Sequence, residues 1–145
     1  MRPQLTTQAL GYAGLIPFYA FLIGAALLED YPRALSIQGF VIYSLAILSF
    51  LSGALWGHTR LPSDREQTID LVISNGIVIF VVASVLTAQV VLAVLLLTLG
   101  YLALLWYERR TQPIRNWYSA MRARLTLGVV FAHLLYVGLN VAMLD

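Results

Sequence analysis

The 145-residue chain contains no cysteine and no lysine, and charged residues make up only 11% of it. The absence of cysteine excludes disulfides, thiolate metal sites and covalent haem attachment through cysteine. Soluble domains carry about 25% charged residues, so the composition is not that of a soluble domain. All nine basic residues are arginines, set against seven acidic residues for a net charge of +2. Arginines scattered in this way form no phosphate-tracking surface, so no nucleic-acid partner is expected.

Hydrophobic residues are in excess instead, at 60% of the chain with a mean hydropathy of +0.81. The length fits one domain, and a helix needs about 20 residues to cross a ~30 Å hydrocarbon core. Apolar runs predict five transmembrane helices, at residues 9–28, 37–57, 70–86, 90–107 and 124–144. The sequence therefore predicts an all-α integral membrane protein in which residues 1–145 form a single five-helix membrane domain.

The third and fourth of these spans lie in one long apolar stretch. Residues 71–107, about 37 in number, contain only six polar side chains. As one helix they would be ~55 Å long at 1.5 Å per residue, which is too long for a single crossing. We therefore predict a break at Leu86–Gln89, although neither glycine nor proline marks it.

The arginines indicate both the number of spans and their direction. With five spans, eight arginines lie on the side of the N-terminus and Arg33 alone lies on the other side, whereas four spans would divide them three against six. Short cytoplasmic loops are enriched in Lys and Arg. We therefore predict five spans, with the N-terminus cytoplasmic and the C-terminus outside.

Two loops carry signals for where helices end and begin. Pro32 is predicted to stop a helix in the short turn between the first two spans. The sequence Ser63–Glu66 is a capping box, which predicts that the third helix begins near Asp64. Asp70 is then expected near the headgroups, within reach of water.

Between the fourth and fifth spans, residues 113–123 predict a short interfacial amphipathic helix. Pro113 suits the first position of a helix, and apolar residues follow on one stripe. The stripe consists of Ile114, Trp117, Tyr118, Met121 and Leu125. A helix with arginines opposite such a stripe lies flat in the membrane interface. It is either an anchor that fixes depth or a lid over a ligand site.

The second span contains small residues at every fourth position, namely Ser49, Gly53 and Gly57. In lipid, this spacing allows two helix backbones to approach closely. The stripe is predicted to pack against another span of the same chain or against a second copy of the chain.

The two histidines are poorly placed for a metal or haem. His58 lies at the mouth of the second span, whereas His133 lies about 13 Å beyond Arg124 along the fifth, and neither has a partner ligand at i+3 or i+4. No cofactor and no metal site are therefore expected, and His133 is interpreted as a hydrogen-bonded packing residue. The acids lie near span ends, which disfavours ion-coupled transport. No Ser/His/Asp set lies at matched depth, so the sequence leans against an enzyme.

Aromatic residues and one arginine are expected to meet in the cytoplasmic half of the bundle. Pro17 is predicted to kink the first span and free a backbone carbonyl nearby. Trp56, Trp117 and Tyr118 are predicted to cluster with Arg122 beside them, where its guanidinium can bind a phosphate or an acidic group. These residues form either an aromatic belt that faces lipid or a ligand site that faces the bundle.

Three fragments of the sequence carry a resemblance to a known family. They are Leu10–Phe18, Leu48–Gly53 with Trp56–Gly57, and Trp117–Tyr118 followed by Arg122 and Leu125–Thr126. Their order and spacing resemble the bacterial relatives of transmembrane protein 69, an inner-membrane family catalogued as a domain of unknown function. The chain departs from that family at Leu55, where the family has histidine, and at Ile73–Asn75, where it has Pro-Ser. The resemblance implies a bacterial inner-membrane location and supplies no activity.

These observations predict a non-catalytic inner-membrane protein, an accessory or assembly subunit that packs against a larger membrane complex. The alternative is a binder or carrier of a small apolar ligand such as a quinone, a lipid or a tetrapyrrole. The expected partners are the lipid bilayer and either other membrane-protein subunits or a second copy of the chain. The candidate ligand or interaction residues are Pro17, Ser49, Gly53, Trp56, His58, Trp117, Tyr118 and Arg122.

Overall fold

The computed structural model describes residues 3–57, 64–87, 89–111 and 117–144, and nearly all of them are helical. The helices are α1 (Pro3–Ala13), α2 (Ile16–Leu27), α3 (Asp30–Gly57), α4 (Asp64–Thr87), α5 (Val90–Thr111) and α6 (Trp117–Leu144). Within these residues, five segments are long and apolar enough to cross a membrane, namely Gln4–Leu27, Asp30–Gly53, Thr68–Leu86, Val90–Arg110 and Trp117–Ala142. The chain is therefore a multi-pass helical membrane protein.

The first span consists of two helices rather than one kinked helix. α1 ends at Ala13 and α2 begins at Ile16, so the break lies at Gly14 and Leu15. Pro17 is the second residue of α2. A proline suits this position, because the amides of a first helical turn have no helical partner in any case.

The connection between α2 and α3 consists of Leu28 and Glu29 alone, so these helices form a tight hairpin. Asp30 has a φ of 55°, a left-handed conformation that aspartate adopts more readily than most residues. The prediction that Pro32 stops a helix is wrong, because Pro32 lies in the first turn of α3. There its missing N–H removes no helical hydrogen bond.

The predicted break in the long apolar stretch is confirmed. α4 ends at Thr87 and α5 begins at Val90. The carbonyl of Gln89 accepts a hydrogen bond of 2.7 Å from the amide of Ala93, which starts the new helix. α4 also begins at Asp64, as the capping-box sequence predicts.

Over its described residues, 117–123, the predicted interfacial helix is not a separate helix but part of α6. Trp117 begins α6, which continues for 28 residues to Leu144, whereas residues 113–116 lie outside the described residues. Met121 and Arg122 are buried, so this stretch packs on the bundle instead of lying flat beside it. The members of the apolar stripe that the structure describes, Trp117, Tyr118, Met121 and Leu125, thus belong to the first turns of the fifth span.

The core of the bundle lies where α3, α5 and α6 meet, with α2 packed against them. Its largest fully buried side chains are Phe18, Phe40, Leu48, Leu97, Tyr101 and Tyr136. Gly100 of α5 leaves room for the Leu48 side chain of α3, because a methyl group at Gly100 would lie 2.8 Å from Cδ2 of Leu48. Small residues have this role generally in membrane helix packing.

Candidate functional site

Two tyrosine hydroxyls bind backbone carbonyls at or near the break in the first span. Tyr43 of α3 donates a hydrogen bond of 2.8 Å to the carbonyl of Gly14. Tyr19 of α2 donates one of the same length to the carbonyl of Gly128 in α6. A backbone carbonyl left without a partner in hydrocarbon costs several kcal/mol, so the Tyr43 bond stabilises the interruption. One carbonyl close to Pro17, that of Gly14 in the break, therefore has a side-chain partner.

A groove opens beside this break, between α1, α2, α3 and α6. It has a volume of about 370 Å³ and includes Gly11, Gly14 and Phe18 on one side and Ile47 and Met121 on the other. Its remaining lining residues are Thr7, Leu10, Leu15, Phe50, Leu51, Tyr118, Leu125 and Val129. We call this space the broken-helix groove. Among the residues that the structure describes, Thr7 and Tyr118 alone line it with polar side chains, and both lie toward the end of the bundle that carries Arg124.

Arg122 points away from the groove and into an ion pair with Glu108 of α5. Its Nη2 lies 2.7 Å from Oε1 of Glu108, and the two side chains are 9% and 10% exposed. The contact is an ion pair rather than an aligned hydrogen bond, since Oε1 accepts none from the described residues. A cavity of about 20 Å³ beside the pair, which Tyr118 also lines, has room for one water molecule. Arg122 is therefore committed to holding α5 and α6 together.

Of the predicted aromatic cluster, the structure describes the two neighbouring residues on α6. Trp117 is 40% exposed, and its ring meets that of Tyr118 edge-on at 5.9 Å between centroids. The guanidinium carbon of Arg122 lies 6.0 Å from the centroid of the Tyr118 ring. The side chain of Trp56 and all of His58 lie outside the described residues, so their part in a site stays a prediction.

At Gly53, the small-residue stripe of α3 meets no other helix among the residues that the structure describes. Gly53 is exposed, and a methyl group built there would meet no described atom within 4 Å. Ser49 is half-buried. The buried face of α3 lies one residue away and carries Ser44, Leu48 and Ser52, and the Ser52 hydroxyl donates a 2.9 Å hydrogen bond to the carbonyl of Ser74 in α4. The alternative of a second copy of the chain on the Gly53 face stays a prediction.

His133 lies in the centre of the bundle, as a hydrogen-bonded packing residue. Its Nδ1 donates to the Val129 carbonyl at 2.7 Å, and its Nε2 lies 2.6 Å from Oγ of Ser44. Because a carbonyl only accepts, Nδ1 carries the proton and the Ser44 hydroxyl donates to Nε2 of the neutral ring. Tyr101 in turn donates to the Ser44 carbonyl at 2.8 Å. Phe18, Phe40 and Tyr101 surround the imidazole, and all of these residues are at most 1% exposed.

Two buried acids were not expected from the sequence, and both lie near the arginine-rich ends of their helices. Glu108 is 8% exposed and Asp70 is 5% exposed, so Asp70, which was expected within reach of water, is buried against the bundle instead. Tyr107 of α5 donates its hydroxyl hydrogen to Oδ1 of Asp70. A signal for Glu108 exists in the sequence, because it continues the spacing of the buried residues Val94, Leu97, Tyr101 and Leu104 on α5.

Comparison with known proteins gives one finding about relatives. Residues 4–138 match a family model whose description is "Protein of unknown function (DUF3429)". No curated protein and no solved structure matches the chain.

Proposed function

The chain belongs to the DUF3429 family, whose description assigns no activity, so we propose a function from the geometry. We propose that it is a non-catalytic membrane protein that binds the apolar chain of a lipid-like molecule in the broken-helix groove. The observation that carries this proposal is the groove itself, with a volume of about 370 Å³ and an almost wholly apolar lining. Small-molecule sites occupy about 300–1,000 Å³ and are mostly apolar with few polar groups.

The interrupted helix supports the same proposal. Non-helical backbone at membrane depth is tolerated where it is buried in protein or lines a cavity, and interrupted helices frequently mark binding sites. Gly14 and Leu15 line the groove at the break between α1 and α2. The hydrogen bond from Tyr43 to the Gly14 carbonyl keeps the break open without leaving an unpaired polar group.

The polar side chains of the groove give the ligand a direction. Thr7 and Tyr118 lie toward the end of the bundle that carries Arg124, while the rest of the lining is apolar. The polar end of an amphiphile would lie beside Tyr118, and its acyl or isoprenoid chain would extend along Leu125 and Val129. Among the ligands considered from the sequence, the shape favours a lipid or the tail of a quinone.

A tetrapyrrole is less well supported, because the described histidine is not available as an axial ligand. Both ring nitrogens of His133 are engaged, by Val129 and by Ser44, and the ring is fully buried. The same enclosure supports a non-catalytic role. Ser44 and His133 have the spacing of a nucleophile and its base, but 0% of either residue is exposed.

The location and the wider relationship belong to the proposal as well. We place the protein in the bacterial inner membrane with its N-terminus cytoplasmic, supported by the eight arginines that five spans bring to one side. We also propose that the family is related to transmembrane protein 69, on the three sequence fragments that resemble it. The role of an accessory or assembly subunit remains the second candidate, and the experiment below separates it from ligand binding.

The test is the recovery of bound lipid after purification in a mild detergent, measured by native mass spectrometry. Leu10 is 70% exposed at the groove, so Leu10→Trp narrows the groove without disturbing the core. Leu86→Trp, at a position 79% exposed on another helix, is the matched control. We expect one tightly bound lipid or isoprenoid per chain in the wild type and in the control, and at least several-fold less in Leu10→Trp.

Two results would count against ligand binding in this groove. Equal lipid recovery from all three proteins would mean that the molecule binds elsewhere or forms part of the ordinary lipid shell. Stoichiometric recovery of other membrane proteins, with no retained lipid, would favour the accessory-subunit function instead.

A further inference from the structure

An amide side chain lies on the outer surface of α4, near the middle of the third span. Asn75 is exposed, and it is the eighth of the 19 residues in the span Thr68–Leu86. At 1.5 Å per residue, it lies about 3 Å from the centre of that span along the helix. Hydrocarbon offers no hydrogen-bond partner, so a polar group at this depth is costly unless protein satisfies it.

The hydrogen bonds of Asn75 use only part of its amide. Its Nδ2 donates to the carbonyl of Leu71 at 2.8 Å, and Asn75 makes no other side-chain hydrogen bond to the described residues. An amide group has two N–H donors and an oxygen with two acceptor positions. One donor and both acceptor positions of Oδ1 therefore remain available to whatever covers this face of α4.

The exposed residues around this amide have the spacing of a helix pair. They are Val72, Asn75, Ile79 and Val82, and we call them the α4 seam. Intervals of three and four residues are the a and d spacing of a two-helix coiled coil. Val72 and Ile79 are 64% and 69% exposed, so they meet no neighbour in their own chain that would cover them. Gly76 lies beside the seam, and a methyl group built there would meet no described atom within 4 Å, so a second backbone has room to approach.

A second copy of the chain fits this arrangement better than a lipid or an unrelated protein. Copies inserted in the same direction pair about a two-fold axis along the membrane normal, so each residue lies at the depth of its counterpart. Asn75 then meets an identical amide at its own level, and an amide complements itself because it both donates and accepts. A lipid chain offers neither group, and a different membrane protein would need a polar side chain at this same depth. A single asparagine in such a seam also fixes the register of the two helices.

We propose that the α4 seam is the interface of a homodimer, in which the two Asn75 amides are hydrogen-bonded to each other. This interface is distinct from the face of α3 that carries Ser49 and Gly53, where the sequence alone allows a second copy. It is also independent of the function proposed above, because no residue of the seam lines the broken-helix groove.

The first measurement is disulfide cross-linking of single-cysteine variants in membranes from cells that express the full chain. The chain has no cysteine, so each variant carries one thiol. With copper phenanthroline, Val72→Cys and Ile79→Cys should give a product of twice the mass of the chain, because a disulfide needs Cα atoms within about 7 Å. The matched controls are Phe50→Cys, 74% exposed on α3 near Gly53, and Leu99→Cys, 56% exposed on α5. Both should cross-link at least tenfold less.

The second measurement is the dissociation constant of the dimer in phosphatidylcholine vesicles, from energy transfer between labelled copies. The chain has no lysine, so amine-reactive donor and acceptor dyes attach at the N-terminus alone. Asn75→Val should weaken the dimer about tenfold, because the hydrogen bonds between the amides are lost. That factor corresponds to about 1.4 kcal/mol, which is within the range for hydrogen bonds between membrane helices. Asn75→Gln should stay within about threefold of the wild type, since its amide also complements itself.

A bulky side chain beside the seam tests the contact by another route. Gly76→Leu should abolish energy transfer, because the leucine keeps the two backbones apart. The variant should fold, since a Cβ at Gly76 meets no described atom within 4 Å. Gly53→Leu, where the space is equally open on α3, is the matched control and should dimerise like the wild type.

Several results would overturn the proposal. A monomer in both measurements would do so, as would equal dissociation constants for Asn75→Val and the wild type. Cross-linking through Phe50→Cys instead of the seam, with dimerisation lost in Gly53→Leu, would place the second copy on α3. Cross-links from the seam cysteines to other membrane proteins, with none between copies, would assign the seam to a different partner. If Gly76→Leu fails to fold, the cysteine variants and the two Asn75 variants still decide the outcome.

Discussion

Gly100 is the position where one added methyl group should have the clearest effect on stability. An alanine Cβ there would lie 2.8 Å from Cδ2 of Leu48 and 3.2 Å from Cγ1 of Val81. Both of these neighbours are 0% exposed, so neither side chain has room to turn away. At Gly53, by contrast, no described atom lies within 4 Å of the same methyl group. The two glycines therefore form a matched pair for one substitution.

Two opposing effects set the size of the difference. Replacing a glycine by alanine inside a helix stabilises it by about 0.8–1 kcal/mol, whereas overpacking a well-packed core costs about 1–3 kcal/mol. We expect Gly53→Ala to raise the free energy of unfolding by about 1 kcal/mol. Gly100→Ala should leave it unchanged or lower it by up to about 2 kcal/mol, so that the two variants differ by about 1–3 kcal/mol.

The assay is unfolding of the detergent-solubilised protein by increasing sodium dodecyl sulfate, followed by tryptophan fluorescence. Combining Gly100→Ala with Leu48→Ala should recover part of the loss that the two single variants give separately, because the added methyl group then enters the space left by the leucine. If Gly100→Ala is as stable as Gly53→Ala, the Leu48 and Val81 side chains do not pack as tightly against Gly100 as the geometry indicates.

Three further predictions concern the buried polar groups and the topology. Arg122→Leu should lower the free energy of unfolding by about 3–5 kcal/mol, because it leaves Glu108 buried without a countercharge. Adding Glu108→Leu should restore most of the lost stability, and sodium dodecyl sulfate titration measures both effects. His133→Ala should cost at least 2 kcal/mol by the same titration, since it opens a cavity and removes two buried hydrogen bonds; a smaller loss would contradict its central role. A reporter fused after Asp145 should be active outside the cytoplasm and one inserted at Pro113 inside it, and a cytoplasmic signal from the first would refute the orientation.

The sequence predicts the spans because span length and apolar runs depend on local composition. The break at Leu86–Gln89 follows from the length of a single helix, and the start of α4 at Asp64 follows from its capping-box sequence. These features need no knowledge of which helices are neighbours. The break at Gly14 and Leu15 does need it, since the hydroxyl of Tyr43 on α3 completes the structure there.

The rotation of each helix could not be predicted in the same way. In lipid, the face that packs on protein and the face that meets hydrocarbon are equally apolar. On α3, small residues lie on two adjacent faces, one with Ser49 and Gly53 and the other with Ser44 and Ser52, and only the second is buried. For the same reason, the position of Glu108 near the end of α5 did not show that its side chain faces α6.

The hydrogen bonds that join Ser44, Tyr101 and His133 have a consequence for the relative heights of α3, α5 and α6. Tyr101 of α5 is hydrogen-bonded to Ser44 of α3, and Ser44 is hydrogen-bonded to His133 of α6. All three residues must therefore lie at one level along the bundle. Sliding α6 along its axis by a single turn, about 5.4 Å, would carry the imidazole past the Ser44 hydroxyl and break the hydrogen bond between them, while the bond from Nδ1 to Val129 would move with α6. Apolar contacts alone would tolerate such a slip, because another methyl group replaces the one that moved away. The polar triplet thus sets the vertical register of α3, α5 and α6, in a solvent where hydrophobic burial cannot do so.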